Sequence, residues 1–245
     1  MISLIFPHHD SPENNACLEL KRQMLADNTC CPYQLLYVVG TTPDDVYPAW
    51  NWLAKRAKYD ILLWDNSDIV YAPGWDENIR RHINDADWLC LRLVECGAIG
   101  VAGSNIGANF GRTATSFDRP GFEHFCAVDN AGRSSIELDI FGWYSPSAFR
   151  KSWFLEKGGL PDKIPFPHDN DADFKVKVFN EGCRFARIGS YAYHFQRQWE
   201  NLGRKVEREL PPPPDVALPE GFEPLRPEAG GGGEGASGRV GEKQS

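Results

Sequence analysis

The sequence predicts an α/β protein: a mostly parallel central sheet flanked by helices, followed by a disordered C-terminal tail. Three observations carry this expectation. Short apolar runs rich in β-formers alternate with longer segments of helical spacing, which is the signature of strands joined by helical crossovers. Acids repeatedly follow the apolar runs, as though the strands end at a common polar rim. From Pro211 the composition shifts abruptly to Pro, Glu and Gly.

In order, "ISLIFP" reads as a first buried strand, closed by Pro7. "HHDSPENN" follows as a polar loop, and "ACLELKRQMLAD" has helical spacing with Leu18, Met24 and Leu25 on its apolar side. "YQLLYVVG" is a second strand closed by the turn "TTPDD"; "YPAWNWLAKRAK" is a second helix and "DILLWD" a third strand. "PGWDENIRRHINDA" continues as helix, with Asp76 a candidate N-cap. "IGVAGSNIG" reads as a strand with a Gly-rich exit, while residues 105 to 135 give no clear period. "SSIELDIFGWYSPSAFRKSWF" predicts a strand, a Gly-aromatic turn and a helix start. "DNDADFKVKVFNEG" predicts a helix ending at Gly182, and "RFARIGSYAYHF" a last pair of strands. Residues 1–210 are expected to form the folded domain. The Pro run and "GGGGEGASGRVGEKQS" of 211–245 cannot bury enough apolar surface to order themselves.

The composition, 42% hydrophobic and 24% charged over 245 residues, supports a sizeable core. Eight Trp offer stacking surfaces or core. The net charge of −8 includes six acids and three bases in 211–245, so the folded part is mildly acidic and a field that attracts nucleic acid is not expected. Seven scattered Cys without a C-x-x-C pair read as reduced thiols, and "MISLIF" is too short for a signal peptide. No stretch approaches the roughly 20 apolar residues of a membrane span. The expectation is a cytoplasmic protein.

In open parallel sheets, ligands sit beyond the carboxyl ends of the strands. Asp10, Thr41, Thr42, Asp65 and Asp68 all follow such ends and are expected on one rim. Carboxylates there suit Mg²⁺ or Mn²⁺, hard cations that prefer oxygen and retain room for phosphate or water. Solvated loop acids or helix caps explain the same residues without a ligand. In "PHDNDADFKVK", three Asp within five positions at a helix start repel one another unless a cation is near. Such crowding raises one member's pKa, which suits a general base; a capping cluster is the plainer explanation. His194, which closes "SYAYH", is either a satisfied core or surface histidine or a ligand, and the company it keeps decides which.

Taken in order, these pieces resemble family-2 glycosyltransferases with the GT-A (Rossmann-like) fold, over roughly residues 2 to 200. "ISLIFPHHD" resembles the opening strand and nucleotide-binding loop. "YVVGTTPDD" resembles the second strand and its loop, and "AWNWLAKRAKYDILLWDNSDIVYAPGW" the stretch through the metal-binding acidic motif. "KGGLPDKIPFPHDNDADFKVKVFNEGCRFA" resembles the Gly-Gly turn, acceptor loop and acid-acid-x-Asp helix.

The resemblance implies a metal-dependent, inverting transferase of the hexosyl- or pentosyltransferase class. Its expected co-substrates are a nucleotide sugar and a hydroxyl-bearing acceptor: a glycan, a lipid-linked molecule or a small molecule. The acidic balance disfavours modified nucleic acid. Pro7, Asp10, Thr42, Asn51 and Asn66 are expected at the nucleotide. Asp68 and His194 are expected at Mn²⁺ or Mg²⁺, with Asn66 in the place of the motif's first acid and Asp65, one position early, standing in for it. Asp171 matches the base and Asp173 a supporting residue. Trp143, Tyr144 and Phe166 either stack on the acceptor or pack in the core.

The chain departs from the family's pattern at Val39-Gly40, where acids usually contact the base, which leaves a uridine donor open. "QRQW" differs from the Q-x-x-R-W of processive members, and with no membrane span polymer export is not expected. The rival is a catalytically degenerate nucleotide- or glycan-binding protein of the same fold. A nucleotidyltransferase ranks last, because "PHHDSPENN" lacks a Gly-rich, basic triphosphate loop.

Overall fold

Every residue of the first strand is buried, and that dictates a sheet covered on both faces. The structure, a computed structural model, describes residues 1–39, 46–96, 105–138, 146–161, 170–195 and 236–237; the side chains of Val46, Asn105, Asn170, Asp171, Ala172, Ala236 and Ser237 are outside the described set. In chain order the elements are β1 (Ile2–His8), α1 (Pro12–Asn28), β2 (Tyr33–Val39), α2 (Val46–Arg56), β3 (Ile61–Trp64), β4 (Ile69–Tyr71), α3 (Trp75–His82), β5 (Trp88–Glu95) and β6 (Asn105–Gly107). A 3-10 turn at Ala114–Ser116 precedes α4 (Arg119–Ala131), β7 (Ile136–Leu138), β8 (Ser147–Arg150), α5 (Lys151–Glu156), α6 (Asn170–Asn180), β9 (Phe185–His194) and β10 (Ala236–Ser237).

The strands form one mixed, mostly parallel sheet in the order β10-β2-β1-β3-β8-β5-β9-β4, with β6 beside β5 and β7 beside β9. β1 lies parallel to β2 and β3, and β5 parallel to β9, so these strands end on one rim. β8 runs antiparallel between β3 and β5, and β4 antiparallel on β9. Alternate residues of β1 feed opposite cores. Leu4 and Phe6 pack with Leu18 and Leu25 of α1 and Ile79 of α3. Ile5 faces a core of Trp50, Trp64, Trp88, Phe149 and Phe174 beneath α2, α5 and α6.

Several local expectations are corrected. Helix α1 starts inside "HHDSPENN": the Ser11 hydroxyl caps the Asn14 amide (3.2 Å) and Pro12 opens the first turn. Asp76 is no cap, since Gly74, with φ 77°, holds that position. The Asp76 carboxylate instead accepts from the amides of Cys30 and Cys31 (2.8 Å for the latter), pinning the start of β2. β5 was not among the expected strands, and of "IGVAGSNIG" only Asn105–Gly107 is a described strand. The expected pair at 184–195 is a single ten-residue strand, β9. Gly189 within it does not mark a turn; a Cβ there would stand 2.6 Å from Asn130 Oδ1, so glycine admits the end of α4.

Residues 211–245 lie outside the described set apart from Ala236–Ser237, which pair with Gln34 and Leu35 of β2. All seven thiols are free. Among the described residues no helix is long and apolar enough to cross a membrane.

Candidate functional site

The rim where β1, β5 and β9 end carries the polar groups, because each strand's apolar run stops there. β1 delivers His8, which is buried, and the loop after it delivers the exposed Asp10. Burial lowers the His8 pKa, so the ring is neutral at pH 7. Its Nε2–H donates to Asn15 Oδ1 (2.8 Å), and Asn15 Nδ2 in turn donates to Asp10 Oδ1 (2.9 Å). Pro7 is buried within β1.

Between β3 and β4 the chain makes the short turn Asp65-Asn66-Ser67-Asp68. Asp65 was expected beside Asp68 at a cation, but it turns inward and is fully buried. Lys21 of α1, equally buried, donates to Asp65 Oδ2 (2.6 Å) and to the Asn66 carbonyl. The other oxygen, Oδ1, accepts from the Asn66 amide (2.7 Å). Burial drives the Asp65 carboxyl pKa up and the Lys21 amine pKa down, against their mutual attraction. Asn66 is half-buried.

Asp68 takes the opposite side of the turn. The residue is 2% exposed, and His194 Nε2 lies 3.2 Å from Oδ2. The register explains the meeting: Ile69, next to Asp68, is paired with His194 across β4 and β9, and the Phe195 amide donates to the Asp68 carbonyl (3.1 Å). On the other flank Glu95 of β5, in register with His194, accepts from His194 Nδ1 at 2.9 Å. Burial alone would lower the imidazole's pKa, but the Asp68 and Glu95 carboxylates overcome this and hold it well above its ordinary 6.5. Burial likewise works to raise the Asp68 pKa, and the imidazolium more than offsets it, leaving the carboxyl below its usual range. In the metal-free protein, therefore, an imidazolium is clasped between two carboxylates.

Among the described residues no group of three or more His, Cys, Asp or Glu is arranged to hold a metal ion. The Asp68–His194 pair still fits one. It offers one hard carboxylate and one imidazole nitrogen, and a carboxylate behind the ring fixes the tautomer that leaves Nε2 free to ligate. Two protein donors leave room for phosphate oxygens and water.

The other expected residues divide. The Asn51 carboxamide, expected at the nucleotide, is engaged with the backbone of Leu160: Nδ2 donates to its carbonyl (2.7 Å) and Oδ1 accepts its amide (2.9 Å). It closes the Gly158-Gly159 turn, where both residues have positive φ. Asp173 is exposed on α6; the backbone of Asp171 lies in that helix's first turn, its side chain outside the described set. Thr42, Trp143, Tyr144 and Phe166 are also outside it.

Two residues escaped the sequence reading. Glu95 ends "WLCLRLVE" just as Asp65 ends "ILLWD", and recognising the strand would have exposed it. Lys21 interrupts an apolar stripe of Cys17, Leu18, Met24 and Leu25, all buried, and a cation on such a stripe signals a buried partner.

No protein-family model matches the chain, and no curated protein matches it. Solved structures do. GalNAc-T7 with UDP, GalNAc and Mn²⁺ superposes with a TM-score of 0.55 at 10% identity, covering 79% of this chain and 43% of that one. S. aureus TarS 1–349 gives 0.52 at 12% identity, covering 78% and 59%, and its complex with UDP-GlcNAc 0.51 at 11%, covering 80% and 60%. The chain thus spans between two fifths and three fifths of the chains it resembles. These likenesses establish the fold, a GT-A-like glycosyltransferase fold, with the Asp68–His194–Glu95 cluster on its strand-end rim.

Proposed function

With that fold as the premise, we propose that the chain is a glycosyltransferase that moves a sugar from a nucleotide-sugar donor to an acceptor hydroxyl. The observation that carries the reading is the Asp68–His194 pair, backed by Glu95, at the ends of β5 and β9. The company of UDP and Mn²⁺ in GalNAc-T7, and of UDP-GlcNAc in TarS, supports a nucleoside diphosphate sugar as the donor class.

Asp68 and His194 are the proposed metal holders, with Glu95 orienting the ring. A divalent ion bound there would supply Lewis-acid stabilisation of the charge that builds on the departing diphosphate. Mn²⁺ suits the set better than Mg²⁺, because an imidazole is a poor partner for a cation that demands oxygen. Pro7 and Asp10 border the proposed nucleotide side, with Thr42 assigned there from sequence. Asp171 is the proposed base that takes the acceptor hydroxyl's proton, and Asp173 its support. Attack from the face opposite the leaving group inverts the anomeric centre. Trp143, Tyr144 and Phe166 are assigned to the acceptor side, where a glycan, a lipid-linked molecule or a small molecule would sit.

A second reading has its own support. Asp65 faces Lys21 and Asn66 replaces an acid, so the turn offers a single carboxylate, as a protein that binds a nucleotide without turnover could. One experiment separates the two: release of nucleoside diphosphate from a panel of nucleotide sugars, with Mn²⁺ or EDTA, by the wild type and Asp68→Ala. Metal-dependent release of one nucleotide, abolished in the variant, establishes the transferase and names the donor. Tight metal-dependent binding with no release, with or without added acceptors, establishes the binding protein instead.

A further inference from the structure

Lys21 is a cation without access to water, and every partner it has lies in the acidic turn or beside it. Its Nζ stands 4.2 Å from the centroid of the Phe6 ring and donates to the Asp65 carboxylate and the Asn66 carbonyl. The turn is tied down further at its first residue: the Asp65 amide donates to the Ile5 carbonyl (3.1 Å), and Trp50 Nε1 donates to the Asp65 carbonyl (3.2 Å). At its last residue, by contrast, the Asp68 carbonyl meets the Phe195 amide and the side chain faces His194.

We propose that Lys21 is the positioning residue of this turn: by capturing Asp65 and the Asn66 carbonyl on the inner side, it fixes Asp68 on the outer side against His194, so that one carboxylate and one imidazole reach the cation. The inference rests on the metal reading of the preceding section. A buried ammonium and carboxylate attract strongly in a medium of low polarity, and neither can leave without stranding the other. Asp65 is therefore unavailable as a ligand while Lys21 holds it. The two acids, three residues apart, have separate tasks: one shapes the turn and the other serves the ligand. Groups hydrogen-bonded to a metal ligand from behind commonly alter metal affinity by about 10- to 100-fold when removed, and Lys21 acts one step further back, through the turn that carries Asp68.

The test uses the full chain and the double variant Lys21→Met/Asp65→Leu, which removes both charges together and so strands neither. Three quantities are read: thermal unfolding, residue-resolved amide hydrogen exchange in EDTA, and Mn²⁺ affinity by calorimetry with the metal alone as probe. The expected result is a folded variant in which the Phe195 amide exchanges faster while the amides of β1 keep their protection, and in which Mn²⁺ binds about 10- to 100-fold more weakly. A folded variant with unchanged Phe195 exchange and unchanged Mn²⁺ affinity overturns the proposal and leaves the pair a structural one. A wild type that holds no Mn²⁺, beside a variant with faster Phe195 exchange, overturns the metal reading itself and keeps Lys21 only as the holder of the turn. Should the double variant fail to fold, Lys21→Met/Asp65→Asn, which also removes both charges but keeps an acceptor for the Asn66 amide, is read in the same way.

Discussion

Glu95 decides which nitrogen of His194 faces outward, and that makes it the most informative single residue to change. Its carboxylate holds Nδ1, so Nε2 is the nitrogen turned to Asp68. Glu95→Gln should leave the fold intact and weaken Mn²⁺ binding by about 10- to 100-fold, read by calorimetry; unchanged affinity would remove Glu95 from the site. The imidazole's raised pKa gives a second expectation. Stability from such a group is fully present below its ordinary pKa and is lost as pH rises through the folded value. In EDTA the protein should therefore lose thermal stability from about pH 6.5 upward, and Asp68→Asn should flatten that dependence. Mn²⁺ must displace the same proton, so its affinity should climb over the same interval. Asp68 and His194 were legible in the sequence because each stands at the end of an apolar run. Asp65 was misplaced because two acids three apart look equivalent until a buried lysine, far off in sequence, claims one of them.

Among the elements, those with a single clear period emerged from the sequence: β1, α1, β2, α2, β3 and α6 all occur where expected, with ends shifted by capping chemistry. β5 did not, because Arg92 and Glu95 break its apolar run, and both find partners far off in sequence: Tyr191, Glu137 and the Ser134 carbonyl for Arg92, His194 for Glu95. The pair of strands expected over 184–195 is one strand, and the glycine inside it, Gly189, admits the end of α4, which comes from elsewhere in the chain. Two substitutions test the local devices. Ser11→Ala removes the cap of α1 and should cost about 0.5–2 kcal/mol in denaturant unfolding. Gly159→Ala should cost more, about 1–3 kcal/mol. It forces a side chain onto a residue at φ 70° and places a Cβ 2.6 Å from Asn51 Oδ1, which must then release Leu160. A thermal midpoint equal to wild type for Gly159→Ala would show that the Gly-Gly turn is not held as described.

Over the whole molecule the charge balance sets the terms on which a diphosphate can bind. The chain carries −8, and two of its carboxylates, Asp68 and Glu95, stand at the strand-end rim, so an anionic ligand approaches against the field. A divalent ion held by Asp68 and His194, as proposed, would reverse the sign where the diphosphate would lie. The most direct measurement is calorimetric titration of a set of nucleoside diphosphates into the full chain, in Mn²⁺ and in EDTA, with wild type and His194→Ala. The account predicts that at least one nucleotide binds the wild type in Mn²⁺, that EDTA weakens it at least about tenfold, and that Mn²⁺ gives the variant no advantage. Equal binding with and without metal, retained metal-dependent binding in His194→Ala, or no binding of any nucleotide would contradict it.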